Sequence, residues 1–145
     1  MNKAILKTFD ESLARCNSKP GFLDYFYQVF LASSPIVRQK FANTDFVRQK
    51  RALRASLHLM PLAAEDEASG PERYLRDLAA QHGKQQLDIG AEYYDLWLDS
   101  LLTTVKRYDP DFSPKIEQAW EKVMMVGIDY LLSHYHHPPA KTNRD

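Results

Sequence analysis

Apolar residues recur every three or four positions through most of this 145-residue chain, and that spacing predicts helices. The strict apolar–polar alternation that indicates strands is missing, and only 5 glycines interrupt the helical pattern. The longest predicted helix, over about residues 114–135, carries an apolar stripe that should form much of the core. The sequence therefore predicts an all-α fold.

Proline, glycine and capping residues mark where these helices start and stop. Ser34-Pro35 predicts a short third helix, because serine can cap the first turn and proline fits its first position. The predicted helices cover about residues 2–15, 21–33, 35–41, 46–62, 71–83, 91–107 and 114–135, with an acidic loop over 63–70. We expect one domain over residues 1–137 and a flexible polar tail over 138–145.

Charge and cysteine content exclude several classes of function. Nineteen basic residues balance nineteen acidic ones, so no global field favours nucleic acid or an anionic membrane. The basic run over residues 48–54 lacks interleaved aromatic residues, and we interpret it as a solvated helix face. Cys16 is the only cysteine, which excludes an internal disulfide. With no secretory signal and no membrane-spanning run, a cytoplasmic protein is expected.

Three polar side chains interrupt apolar stripes on three different predicted helices. His82 ends the stripe of Leu75 and Leu78, while Tyr27 and Gln49 each lie on the apolar face of another helix. An imidazole against apolar surface needs partners for its ring nitrogens, and a metal ion is one such partner. Each residue alone has an ordinary structural explanation, but three such interruptions together indicate a site.

Six short motifs occur in a particular order along residues 2–135: Phe26–Phe30, Pro35 with Phe41, Gln49–Leu53, Leu78–His82, Tyr93-Tyr94 and Ala119-Trp120. In this order and spacing they resemble the globin family, above all single-domain bacterial globins and the globin domain of flavohaemoglobins. The resemblance implies a globin fold of about seven helices around a pocket for haem b, iron protoporphyrin IX. No common catalytic motif such as HExxH, GxSxG or CxxC is present, so any catalysis would need a cofactor.

The resemblance also implies roles for particular residues. His82 would be the axial ligand of the haem iron, and Tyr27 and Gln49 would donate hydrogen bonds to bound O2 on the distal side. The haem-contacting residues would be Phe41, Leu53, Leu78 and a proximal tyrosine, for which Tyr94 and Tyr93 are rivals. Tyr135 stands where flavohaemoglobins carry a proximal glutamate, which weakens the expectation of oxygen activation.

For function, the resemblance implies reversible binding of O2, with NO and CO as further ligands, for oxygen binding or delivery. One alternative is an NO dioxygenase that needs an external reductase, because the chain ends at Asp145 without flavin or nicotinamide domains. Another alternative is a gas-sensing or haem-free structural globin, and His82 argues against a haem-free chain. No nucleic acid or membrane partner is expected.

Overall fold

The computed structural model describes residues 1–83 and 87–137, which form seven α-helices and no strands. The helices are α1 Lys3–Asn17, α2 Phe22–Ala32, α3 Pro35–Lys40, α4 Phe46–Glu65, α5 Gly70–His82, α6 Ala91–Tyr108 and α7 Pro114–Ser133. The predicted all-α fold class is confirmed. The predicted tail over 138–145 lies outside the described residues. In the described ranges, no helix is both long enough and apolar enough to cross a bilayer.

Four of the helices begin at a side chain that accepts hydrogen bonds from backbone N–H groups of the first turn. Such caps satisfy donors that have no partner inside the helix. The capping residues are Asn2, Ser34, Asp45 and Ser113. The predicted starts of α3 at Ser34-Pro35 and of α7 at about residue 114 therefore coincide with observed caps.

The junction between α4 and α5 differs from the predicted acidic loop. Helix α4 continues to Glu65, and Ala63 and Ala64 are completely buried. Helix α5 then begins at Gly70, where any Cβ atom would overlap the backbone carbonyl of Ala63. The loop prediction over 63–70 was wrong for residues 63–65, because small alanines beside acidic residues carry little hydrophobic signal but allow two helices to approach closely.

The core is organised around α7, which contacts α1, α4, α5 and α6. Its Trp120 is completely buried and packs edge to face against Phe9 of α1, with ring centroids 4.6 Å apart. Towards the other end of α7, Ile128 and Leu131 are buried but also line a cavity. The helix therefore contributes to the solid core at one end and to the candidate site at the other.

A buried hydrogen-bond network joins α1, α7 and the end of α6. Asp109 is 2% exposed and accepts hydrogen bonds from Ser12 Oγ at 2.6 Å and from Arg15 Nε at 2.7 Å. Trp120 Nε1 in turn donates to Ser12 Oγ at 2.9 Å. Burial alone would raise the pKa of Asp109, but the hydrogen bonds from Arg15 and Ser12 outweigh it and lower that pKa.

Replacement of this carboxylate should therefore destabilise the fold. We expect Asp109→Asn to lower the free energy of unfolding by about 1–3 kcal/mol, because buried donors lose a charged acceptor. Since the folded-state pKa of Asp109 is lowered, its contribution is present above the unfolded pKa and is lost as pH falls through the folded pKa. Urea unfolding at pH 7 and at acid pH measures both effects. The exposed Asp99→Asn is the control, and equal stability of the two variants would contradict the prediction.

Candidate functional site

A cavity of about 470 Å³ lies between the helices and is lined by side chains from α2 to α7. Its walls are mainly aliphatic and aromatic, with a few polar groups among them. Pockets for small molecules and cofactors have volumes of about 300–1,000 Å³ and a similar lining. The cavity is therefore large enough for an organic cofactor.

All seven residues that the sequence analysis placed in a site line this one cavity. They come from four different helices and from the residue that ends α3, so only the tertiary fold brings them together. The residues are Tyr27, Phe41, Gln49, Leu53, Leu78, His82 and Tyr94. Their roles toward a ligand remain predictions.

His82 is the last residue of α5, which the completely buried Leu75 anchors in the core. Its Nδ1 lies 3.0 Å from the hydroxyl oxygen of Tyr94 on α6. Burial lowers the pKa of His82 to about 4, so the imidazole is neutral at pH 7. If Nδ1 carries the proton and donates it to Tyr94, the lone pair of Nε2 is available to a metal ion.

The two tyrosines that the sequence left as rivals have different environments. Tyr94 is buried, hydrogen-bonds to His82, and has its pKa raised by burial, so it stays a neutral phenol. Tyr93 is half-buried, and its ring lies 5.1 Å from the ammonium of Lys40. Of the two tyrosines, Tyr94 is therefore the one whose hydroxyl group lies within hydrogen-bonding distance of the imidazole.

Tyr135, which the resemblance placed at the position of a proximal glutamate, donates a hydrogen bond to the carboxylate of Asp88. That hydrogen bond is the main reason that the pKa of Tyr135 is raised to about 12. The group that hydrogen-bonds to Nδ1 of His82 is thus a neutral phenol and not a carboxylate. A neutral partner orients the ring but increases its basicity less than a carboxylate does.

Tyr27 brings a hydroxyl group to the cavity from α2 and is only 5% exposed. Burial raises its pKa to about 12, against the opposing effect of a hydrogen bond with Gln49, so the phenol keeps its proton. Its ring packs edge to face against the ring of Phe46, with centroids 5.3 Å apart, and its centroid lies 6.1 Å from that of the Phe41 ring. These aromatic contacts hold a hydrogen-bond donor at the cavity wall.

Several residues that line the cavity were not predicted to do so. Ile128, Leu131 and Trp97 lie on predicted helices, but the sequence analysis gave none of them a role in a site. Lys40 also lines the cavity, although nothing in the sequence distinguishes it from other exposed lysines. His58 of α4 is not among the residues that line the cavity, and its Nε2 lies 3.5 Å from Nδ2 of Asn17 on α1.

The lowered pKa of His82 predicts how the stability of the protein without cofactor depends on pH. Between about pH 6.5 and pH 4 the unfolded chain binds a proton at this histidine and the folded chain does not, so stability falls as pH falls. We expect the unfolding free energy of the wild type to decrease more across this range than that of His82→Gln. Parallel pH dependences of the two proteins would contradict the lowered pKa.

Comparison with known proteins gives two matches. A family profile described as Globin matches residues 24–131. A crystal structure of a Pseudomonas aeruginosa PAO1 protein, described as structurally highly homologous to a human hemoglobin, aligns with a TM-score of 0.86 and 41% sequence identity. The alignment covers 91% of this chain and 98% of that one. No curated protein matches the sequence significantly.

Proposed function

Because the chain belongs to the globin family, we propose that it binds haem b and reversibly binds O2, with NO and CO as further ligands. The observation that carries the proposal is the neutral, half-buried imidazole of His82 at the cavity wall, with Nδ1 held by Tyr94. Bound haem supplies an iron that can take one axial ligand from the protein and a diatomic gas on its other side.

The described residues that line the cavity fit a haem group. The described lining of the cavity offers a single oriented imidazole, and a metal held by one protein ligand must bring its remaining ligands, as a porphyrin does. The apolar walls, which include Leu53, Leu78 and Phe41, provide a dry surface for the faces of a planar macrocycle. His82 would hold the iron through Nε2, while Tyr94 fixes the tautomer and the ring orientation.

Tyr27 and Gln49 support O2 as the ligand. Bound O2 attracts hydrogen-bond donors more strongly than CO does, because it takes on more negative charge. The protonated phenol of Tyr27 and the amide of Gln49 line the same cavity and can supply such donors. Leu53 and the aromatic rings around Tyr27 would keep water away from the ligand.

The partner of His82 favours a binding protein over an oxygen-activating enzyme. Enzymes that cleave O–O bonds need an electron-rich axial ligand, and a carboxylate partner makes an imidazole more electron-rich. Here the partner is the neutral phenol of Tyr94. We therefore rank oxygen binding or delivery above catalysis.

NO dioxygenation with an external reductase is the second candidate. The Tyr27 and Gln49 pair favours it, since the same donors would hold O2 for attack by NO.

Oxygen titration of the reduced protein tests the proposal of reversible O2 binding: uptake and release should be reversible over repeated cycles. Oxidation of the iron in each cycle, or no uptake, would contradict it. Sustained nitrate formation from NO with a supplied reductase would instead favour the enzyme.

A further inference from the structure

Lys40 is the one fully charged side chain among the described residues that line the cavity. Its Nζ donates a hydrogen bond to the backbone carbonyl oxygen of Leu87 at 2.9 Å. The same ammonium lies 5.1 Å from the centroid of the Tyr93 ring, within the range of a cation–π contact. Two contacts from another part of the chain thus hold the end of a flexible side chain at the exposed rim of the cavity.

The charge of Lys40 is not neutralised within the described part of the protein. The ion pairs formed by the described residues do not include it. An ammonium group has three N–H donors, and the Leu87 carbonyl occupies one of them. Donors and charge therefore remain for an anionic group of a molecule in the cavity.

We propose that Lys40 is a carboxylate-binding subsite that pairs with one porphyrin propionate, with Tyr93 as its positioning residue. The inference rests on the proposed function. A protoporphyrin has apolar faces and carries both carboxylates on one edge. Since Lys40 is the one cation among the described residues that line the cavity, it would set which edge faces α3 and Leu87. Tyr93 thereby has a role distinct from that of Tyr94, which orients His82.

The rate of haem loss to an excess of an apoglobin acceptor tests this subsite. We expect Lys40→Met to accelerate the loss of haemin about two- to fivefold, the range that one partly exposed ion pair supplies. The effect should shrink as salt is added. Lys40→Arg should remain close to the wild type, and Tyr93→Leu should give part of the effect of Lys40→Met because the ammonium loses its support.

Haemin dimethyl ester provides the matched measurement, because it has the same ring without carboxylate charges. We expect Lys40→Met and the wild type to lose the ester at the same rate, and Lys7→Met on α1 to resemble the wild type with both porphyrins. Unchanged haemin loss in Lys40→Met, or equal acceleration with haemin and ester, would overturn the subsite alone. A wild-type protein that takes up neither porphyrin would overturn the proposed function and the subsite together.

Discussion

His82→Gly is expected to weaken haem binding by at least about 100-fold, so that the purified variant carries little or no haem. Loss of a partner that only orients a metal ligand typically costs about 10–100-fold in affinity, and removal of the ligand itself should cost more. Because glycine leaves a gap where the imidazole stood, free imidazole should restore part of the binding. Haemin titration with and without imidazole measures both effects.

Other variants separate coordination from general damage to the fold. Tyr94→Phe removes the hydrogen bond to Nδ1 and should weaken haem binding by about 10–100-fold, whereas Tyr93→Phe keeps its ring and should not. His58→Gly removes a histidine that contacts α1 and should bind haem normally. If His82→Gly kept wild-type haem content and CO binding, the axial role of His82 would be wrong.

Tyr27→Phe is expected to raise the O2 dissociation rate by about 10- to 100-fold. A hydrogen bond to a charged group contributes about 1.5–3 kcal/mol, which corresponds to that range. The phenol of Tyr27 is buried and protonated, so it is already a donor before any ligand arrives. The CO dissociation rate should change much less, because CO carries less charge. Stopped-flow displacement of O2 by CO measures the oxygen rate.

Tyr25→Phe is the matched control. Tyr25 precedes Tyr27 by two positions on α2 and packs against Tyr108 and Arg107 outside the cavity. It should leave the O2 dissociation rate unchanged. Gln49→Leu should raise the rate by a smaller factor, and the double variant with Tyr27→Phe would measure how far the two donors act together. An unchanged rate in Tyr27→Phe would remove the phenol from ligand binding.

The sequence predicted the helices well where the signal is local. The cap and proline at Ser34-Pro35 define the start of α3, and the apolar stripe through Trp120 defines the buried face of α7. Polar residues on apolar faces, such as His82, indicated a site for the same reason, because burial makes an unexplained polar group costly. These features depend on neighbours within one or two helical turns.

Features that depend on packing between separate helices were not predicted. Ala63 and Ala64 are buried because Gly70 lets α5 approach closely, and alanine alone does not indicate such contact. Nothing in the sequence indicates that Asp109 accepts hydrogen bonds from Ser12 and Arg15, which lie about one hundred residues away. In both cases the residues in contact belong to different elements of the fold, so the pattern of one helix alone does not indicate the contact.

Haem content and visible absorption test the central claim most directly. The protein, as purified or after addition of haemin, should bind about one haem per chain, and the reduced form should show a spectral shift when CO is added. A colourless protein that takes up no haemin, or a reduced haem complex whose spectrum does not respond to CO, would contradict the proposal that His82 holds a gas-binding haem.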